Sequence, residues 1–324
     1  MPLGIGAQGQ AGIIKEASWG AGGTVNTYLE LVSENVRSNI EMLEAPHVFG
    51  SRNIYKYYHG AHDIGGTFSM VVNPDNIGLL LYMALGVEGN PAQVAATTAY
   101  DHEFTPADMD TDLGSFALEI ERGIDCSIYS GCTVNNFTLS ASKGSLVMAD
   151  FEIVGKAETD GVSAQSLSPS TKLPYNFHMG SVEIATVAAA YVNSFTMTYS
   201  NNIDVDGGFV LNASNNRAHA YKTIGSLTGT LECEWTSTSD ALRDAYLDNT
   251  QKQIELIITS TETIEAGYYY TLSIDIPKAH VMGDPPAIGG RDRIPFSVGF
   301  EAVYDSTNFL KITHRDARTT KWSA

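Results

Sequence analysis

Two distant parts of the chain repeat one pattern, and this repetition restricts the fold more than any other feature. Thr27-Tyr-Leu-Glu-Leu-Val returns as Ser194-Phe-Thr-Met-Thr-Tyr, 167 positions on, and Gly66-Thr-Phe-Ser-Met-Val-Val returns as Gly229-Thr-Leu-Glu-Cys-Glu-Trp, 163 positions on. A short helical stretch follows each second echo, and Leu79, Tyr82 and Met83 map at the same offset onto Leu242, Ala245 and Tyr246. Those are i, i+3 and i+4 positions, one face of a helix. A third echo joins Asp150-Phe-Glu-Ile-Val to Gly299-Phe-Glu-Ala-Val, 149 positions on. The order of elements persists while loop lengths drift, so the chain reads as two copies of one β-rich domain. Repetition without a catalytic centre points to a building block, because one chain then offers the same surface twice to a symmetric assembly.

A length of 324 residues is long for one core and comfortable for two domains. With 43% hydrophobic and 17% charged residues the composition is globular. Acids outnumber bases 37 to 19, for a net charge of −18. That excess argues against tight non-specific nucleic-acid binding, which needs clustered Lys and Arg. It does not exclude contact with DNA, since a surface that lets DNA pass without sticking is acidic for the same reason. Cys126, Cys132 and Cys233 form no disulfide framework or zinc spacing, which points to a reducing folding compartment. No apolar run approaches the roughly 20 residues of a membrane span and the N-terminus lacks a signal pattern, so a soluble protein without an export signal is expected.

Residues 1–26 are rich in Gly and small side chains and read as an extended arm. Ile13, Ile14 and Trp19 would be out of place in a solvated tail, so an arm that docks on a neighbour is expected. The first copy is placed at 27–158, a polar linker at 159–190, and the second copy with a C-terminal tail at 191–324. Strands are expected at Tyr28–Val32, Ile54–Tyr58, Thr67–Val72, Ser115–Glu121, Thr133–Ser140 and Leu146–Val154 in the first copy. The second copy is expected to place them at Ser194–Tyr199, Phe209–Leu211, Leu227–Trp235, Gln253–Thr259, Tyr268–Ile276, Ile294–Val303 and Phe309–Thr313. The alternation of Phe116, Leu118 and Ile120 suggests a strand with one wet face. Asn73 is the expected cap of the first helix, with Pro74 at its first position and Gly86 at its end. The second helix is expected from Ser239 to Asn249, capped by Ser237 or Thr238. Ser181–Ala190 fits either a strand or a small-residue helix.

No catalytic, cofactor or metal motif holds up in context. Gly4-Ile-Gly6-Ala-Gln-Gly9 has the spacing of a dinucleotide loop but no preceding strand. Asp108-Met-Asp110-Thr-Asp112 with Glu119 resembles a calcium loop, yet Leu113 stands where the sharp turn needs Gly. Asp204-Val-Asp206-Gly207 reads as a hairpin turn. His59 and His62 point to opposite faces of an extended segment, and Ser140-Ala-Ser-Lys143 lies at a strand end rather than on a helix. The expectation is a protein that is not an enzyme and holds no cofactor.

Several segments together resemble a known family. These are Lys15-Glu-Ala-Ser-Trp19-Gly, the Gly66-Thr-Phe strand followed by Asn73-Pro-Asp-Asn-Ile-Gly-Leu-Leu-Leu-Tyr-Met-Ala-Leu-Gly86, His102-Glu-Phe-Thr-Pro106, and Asp292-Arg-Ile-Pro-Phe-Ser-Val. They resemble the tail tube proteins of long-tailed bacteriophages, of the siphovirus type, over most of the chain; 159–190 is the weakest part. The resemblance implies a mainly β fold of two tandem tail-tube-like β-sandwich or barrel domains, each with one short helix, plus the extended N-terminal arm. It implies a structural subunit of the virion tail, assembled in the host cytoplasm, that polymerises into stacked rings. Two copies per chain imply rings of three chains with pseudo-sixfold symmetry. The partners implied are further copies of the chain, the tape-measure protein and double-stranded DNA in the lumen, and the tail terminator and distal tail or baseplate proteins. Candidate lumen-facing acids are Glu119, Glu121, Asp150 and Glu152, and the candidate inter-subunit arm residues are Ile13, Ile14 and Trp19. A second reading is a β-sandwich adhesin or a baseplate hub module, with Tyr268-Tyr-Tyr270 as a ligand platform.

Overall fold

The structure is a computed structural model that describes residues 4–48, 50, 52–211, 214–283, 286, 288, 290 and 292–324. Three residues of the expected arm, 1–3, lie outside the described residues, as do 49, 51, 212, 213, 284, 285, 287, 289 and 291 of the two expected copies. The chain is mainly β, with two α-helices among the described residues. In chain order the strands are β1 (Gln10–Lys15), β2 (Thr27–Leu29), β3 (Leu31–Glu34), β4 (Arg37–Glu44) and β5 (Tyr57–Val71). After helix α1 (Ile77–Leu85) come β6 (Gly86–Glu88), β7 (Ala92–Gln93), β8 (Tyr100–Pro106), β9 (Phe116–Glu121), β10 (Cys126–Ser142), β11 (Met148–Gly155) and β12 (Ala157–Thr159). Then follow β13 (Gly180–Ile184), β14 (Val187–Ala188), β15 (Val192–Ser200) and β16 (Ser226–Glu234). Helix α2 (Asp240–Leu247) precedes β17 (Gln251–Glu265), β18 (Tyr268–Met282), β19 (Pro295–Ala302) and β20 (Lys311–Asp316).

One antiparallel sheet dominates. Its order is β3 and β4 side by side along β5, then β11, β10, β15, β16, β19 and the last residues of β18. The same four-strand order therefore occurs twice, first as β3/β4, β5, β11, β10 and then as β15, β16, β19, β18. The halves join edge to edge where β10 pairs with β15, from Asn136↔Ser200 to Ser142↔Ser194. Among the described residues no strand pairs with the outer side of β3 or β4, so the sheet is open at that end.

A second layer repeats as well. The order β2, β1, β9, first half of β10, β12 is matched by β14, β13, β17, first half of β18, β20. Strand β8 then pairs with β20, so the halves also meet in this layer. Apolar side chains from both halves, among them Phe68, Phe137, Phe151, Phe195, Leu231 and Phe300, form one contiguous buried cluster.

Strand pairing fixes how the copies correspond. A bulge falls between Leu31 and Ser33 opposite β5 and between Val192 and Ser194 opposite β16, which sets the two edge strands 161 positions apart. With Ser69 matched to Glu232 at 163, their partners Asp150 and Ser297 stand 147 apart. The sequence echoes at 167 and 149 are thus displaced by six and by two residues. Two glycines confirm the structural offsets. A Cβ on Gly66 would lie 2.8 Å from the Asn35 carbonyl, and one on Gly229 would lie 2.5 Å from the Thr196 carbonyl. Asn35 and Thr196 are again 161 apart, so each copy keeps a Gly where its edge strand comes too close for any side chain.

Several expectations need correction. Residues 209–211 are not a strand, and 54–56 precede β5. Strand β9 has no wet face: Phe116 to Ile120 are all buried. Residues 180–188 form a hairpin, β13 to β14, turned by Ala185 and Thr186 at φ 51° and 66°, the both-positive pattern of a two-residue hairpin turn. Helix α1 starts at Ile77 with Asn76 at the N-cap, three residues later than expected. The Asn73 carboxamide oxygen instead accepts the Asp75 N–H at 3.0 Å, forming a turn before the helix. Gly86 ends the helix in the left-handed region at φ 89°. In α2, Ser239 rather than Ser237 or Thr238 is at the N-cap.

Candidate functional site

The long sheet has two unlike faces because its strands alternate. Ala149, Phe151, Ile153, Phe137, Leu139, Phe195, Met197 and Tyr199 point into the core. The residues between them point the other way: Thr67 and Ser69 on β5, Asp150 and Glu152 on β11, Asn136, Thr138, Ser140 and Ser142 on β10, Ser194, Thr196, Thr198 and Ser200 on β15. The second half continues with Thr228, Thr230 and Glu232 on β16 and Ser297 and Glu301 on β19. This polar face carries the carboxylates Asp150, Glu152, Glu232 and Glu301; Glu234, next on that face of β16, pairs with Arg293 at 2.9 Å, and Arg37 on β4 stands opposite Gly65.

Cross-strand hydrogen bonds order the face. Thr138 and Thr198 meet hydroxyl to hydroxyl at 2.9 Å, and Ser142 and Ser194 at 3.0 Å, both across the seam between the halves. The Ser297 hydroxyl donates to Glu232 at 2.7 Å. Ser69 donates to Asp150, and the Asn136 carboxamide donates to Glu152. Asp150, Glu152 and Glu232 are therefore held in place by neutral donors rather than by Lys or Arg.

Of the four acids singled out from sequence, Asp150 and Glu152 lie on this face. Glu119 and Glu121 do not, since both belong to β9 in the other layer. Glu119 is 1% exposed and accepts the Gln165 N–H at 2.8 Å, because residues of the 159–190 segment lie over it. That segment is not merely a solvated linker: Tyr175 is fully buried and its backbone bonds to Val72 and Val147.

The N-terminal residues are built into their own chain. Gln10–Lys15 is β1, paired with β9 and β2, and Ile13 is fully buried while Ile14 is half-buried. The Trp19 indole N–H donates to the Gly131 carbonyl at 3.0 Å, with the Lys156 ammonium 4.8 Å from the ring centre. Sequence reasoning missed Glu16, the organiser of this turn. Its buried carboxylate accepts the N–H groups of Gly20 and Gly22 at 2.8 Å and of Gly131 at 2.9 Å, and the Ser115 hydroxyl at 2.7 Å. An acid followed by two glycines was the available signal.

A buried charged cluster near the C-terminus was also missed. His102 lies 2.9 Å from Glu88 and 3.2 Å from Asp316. Burial alone would push the His102 pKa down, but hydrogen bonds to Asp316 and Glu88 override it and raise the pKa to about 9. Glu88 also accepts the N–H groups of Trp322 and Ser323 at 2.9 and 2.8 Å, which clasps the end of the second half onto the first.

The remaining motifs are structural. The carbonyls of Ala107, Asp108 and Thr111 in the calcium-like loop accept from the Lys222 ammonium. Among the described residues no group of three or more His, Cys, Asp and Glu is placed to hold a metal ion. Among the same residues no helix is long and apolar enough to cross a membrane.

A family model described as phage tail tube protein matches residues 6–302, nearly the whole chain. The chain belongs to the phage tail tube protein family. A search of curated proteins found no match to it. Family membership makes the chain a structural component of a virion tail that assembles with itself into a tube.

Proposed function

We propose that this chain builds a tail tube from rings of three subunits, each subunit supplying two of six pseudo-equivalent positions. One observation carries the reading: β10 and β15 already join two copies of the four-strand unit into one sheet within the chain. The outer edge of β3 and β4 is unpaired among the described residues, and Val281 and Met282 at the far end pair with β19 alone. Joining the second edge of one chain to the first edge of the next repeats the internal seam and removes both exposed edges. Three chains then contribute 24 strands, eight from each. At about 4.8 Å spacing and roughly 40° tilt these close into a barrel on the order of 48 Å across the backbone, wide enough for duplex DNA after side chains are added.

The polar face lines the lumen in this arrangement. Asp150, Glu152 and Glu232, held by Ser and Asn, and Glu301 repel phosphates, so DNA and the tape-measure protein pass without specific binding. The domain unit starts at β1 and at β13, each opening a hairpin that leads into the edge strand. Rings stack into the conduit through which DNA is ejected. Light scattering on size-separated protein over a concentration series tests the stoichiometry. A species of three chains and its multiples is expected; a monomer at every concentration contradicts it.

A further inference from the structure

The connection between the first two strands of each copy has nearly equal length, with 23 residues between Asn39 and Asp63 and 25 between their counterparts Ser200 and Ser226. The two connections fold differently. In the second copy it lies over the first copy: Asn215 accepts the His62 N–H at 2.8 Å, Asn216 bridges to His62, and Arg217, 1% exposed, bonds Asp63 at 2.6 Å. Asn216 thereby helps wall a cavity of about 460 Å³ whose other lining includes Ser38, Ile40, His62 and Ile64.

The counterparts of those four residues are Tyr199, Asn201, Gly225 and Leu227, at the structural offsets of 161 and 163. All four line a cavity of about 740 Å³ in the second copy. Its remaining wall includes Val87, Met109, Ile224, Tyr304 and Phe309, and Ile224 is 80% exposed. Among the described residues no connection of this kind lies over it. The first copy's own connection, β4 and the start of β5, covers no other copy among the described residues, and it exposes Met42, Leu43, Ile54, Tyr57 and Tyr58. Leu43 and Tyr58 are directly opposed across the hairpin and share one face.

We infer that the β4–β5 hairpin of one subunit seats on the 740 Å³ cavity of the second copy in the neighbouring subunit of the same ring. This rests on the ring reading and names its second contact, outside the sheet. The occupant follows from the internal repeat: each connection covers the copy before it, and for the first copy that is the neighbour's second copy. The chemistry agrees. The polar Asn215, Asn216 and Arg217 cover a polar cavity, whereas an apolar hairpin faces an apolar one.

Disulfide trapping tests it. The double variant Leu43→Cys with Ile224→Cys places one thiol on each side of the contact, and the three native cysteines are buried and do not compete. Mild oxidation should give chains linked in a ladder that stops at three, while a control pairing Val187→Cys with Ile224→Cys should not. Tyr58→Asp should weaken assembly about ten-fold, with the thermal melt of the monomer unchanged. Rings that form with no more cross-linking than the control overturn the hairpin contact and leave the ring intact. Cross-links between two chains without rings keep the contact and overturn the ring. Neither rings nor cross-links overturn both.

Discussion

Thr138 and Thr198 face each other across the seam between the two halves, their hydroxyls 2.9 Å apart on the acidic side of the sheet. The pair joins β10 of one copy to β15 of the next, so it samples the joint that the proposed ring repeats between chains. Replacing each by Val keeps shape and β-propensity and removes the hydrogen bond. A double-mutant cycle in urea should return a coupling of roughly 0.5–1 kcal/mol. Strict additivity would show that the seam is held by its backbone ladder and by Phe137, Leu139 and Met197 alone.

Glu16 gathers three backbone N–H groups and one hydroxyl around a buried carboxylate. Glu16→Ala leaves those donors without an acceptor and should cost on the order of 3 kcal/mol, with Glu16→Gln intermediate because one oxygen is kept. Equilibrium unfolding measures both. Stability within error of wild type for the Ala variant would mean that water replaces the carboxylate freely.

Gly78 and Trp322 provide a test with an informative sign. A Cβ on Gly78 would sit 2.4 Å from the Trp322 indole, so Gly78→Ala should destabilise by about 1–3 kcal/mol and shift tryptophan emission. Helix propensity alone predicts a gain of about 1 kcal/mol for the same change. A stabilised variant would show that the C-terminal residues are not packed on α1.

The Glu88, His102 and Asp316 cluster sets a pH dependence. His102 has its pKa raised from 6.5 to about 9 in the folded chain, so its contribution is complete below pH 6.5 and is lost as pH rises through 9. Glu88 and Asp316 are buried, yet hydrogen bonds hold both pKa values below their ordinary values. Their contributions are present above those ordinary values and fade as the solution turns acid. Melting temperature should therefore fall between pH 6.5 and 9 in wild type and stay flatter in His102→Gln. Parallel profiles would remove the cluster from the account.

The acidic face predicts how the tube treats DNA. Thr138→Lys with Thr198→Lys adds two cations per chain to a face whose Asp150, Glu152 and Glu232 are held by neutral donors. Assembled variant tubes should retain duplex DNA at low salt and release it as salt rises, whereas wild-type tubes should not retain it. Equal retention by both would place this face away from the lumen.

Much of the fold was legible because burial imposes period two on the strands and a stripe on the helices. Asp150 and Glu152 fell on the polar face for that reason, flanking the buried Phe151. The same periodicity hid the register. The echoes were displaced by six and two residues, both even numbers, and an even shift leaves every side chain on its own face. Only backbone pairing, through the bulges at Leu31/Ser33 and Val192/Ser194, fixes the match. Glu119 misled because alternation does not report what lies over a strand, and Gln165 does so from 46 residues away. The Glu88, His102 and Asp316 cluster was illegible for the same reason, since its members meet only when the second half closes on the first. Ile13 and Trp19 were read as parts of an arm that docks on a neighbour, and in the structure they pack against their own chain.

The central claim is that the seam between β10 and β15 is repeated between chains until the sheet closes. Electron microscopy of the purified protein at rising concentration, with class averages viewed end-on, tests it most directly. The account predicts hollow rings or tubes with six lobes, threefold repetition and a hole of about 40 Å once side chains line a 24-strand barrel. Compact particles with no central hole at any concentration would contradict it.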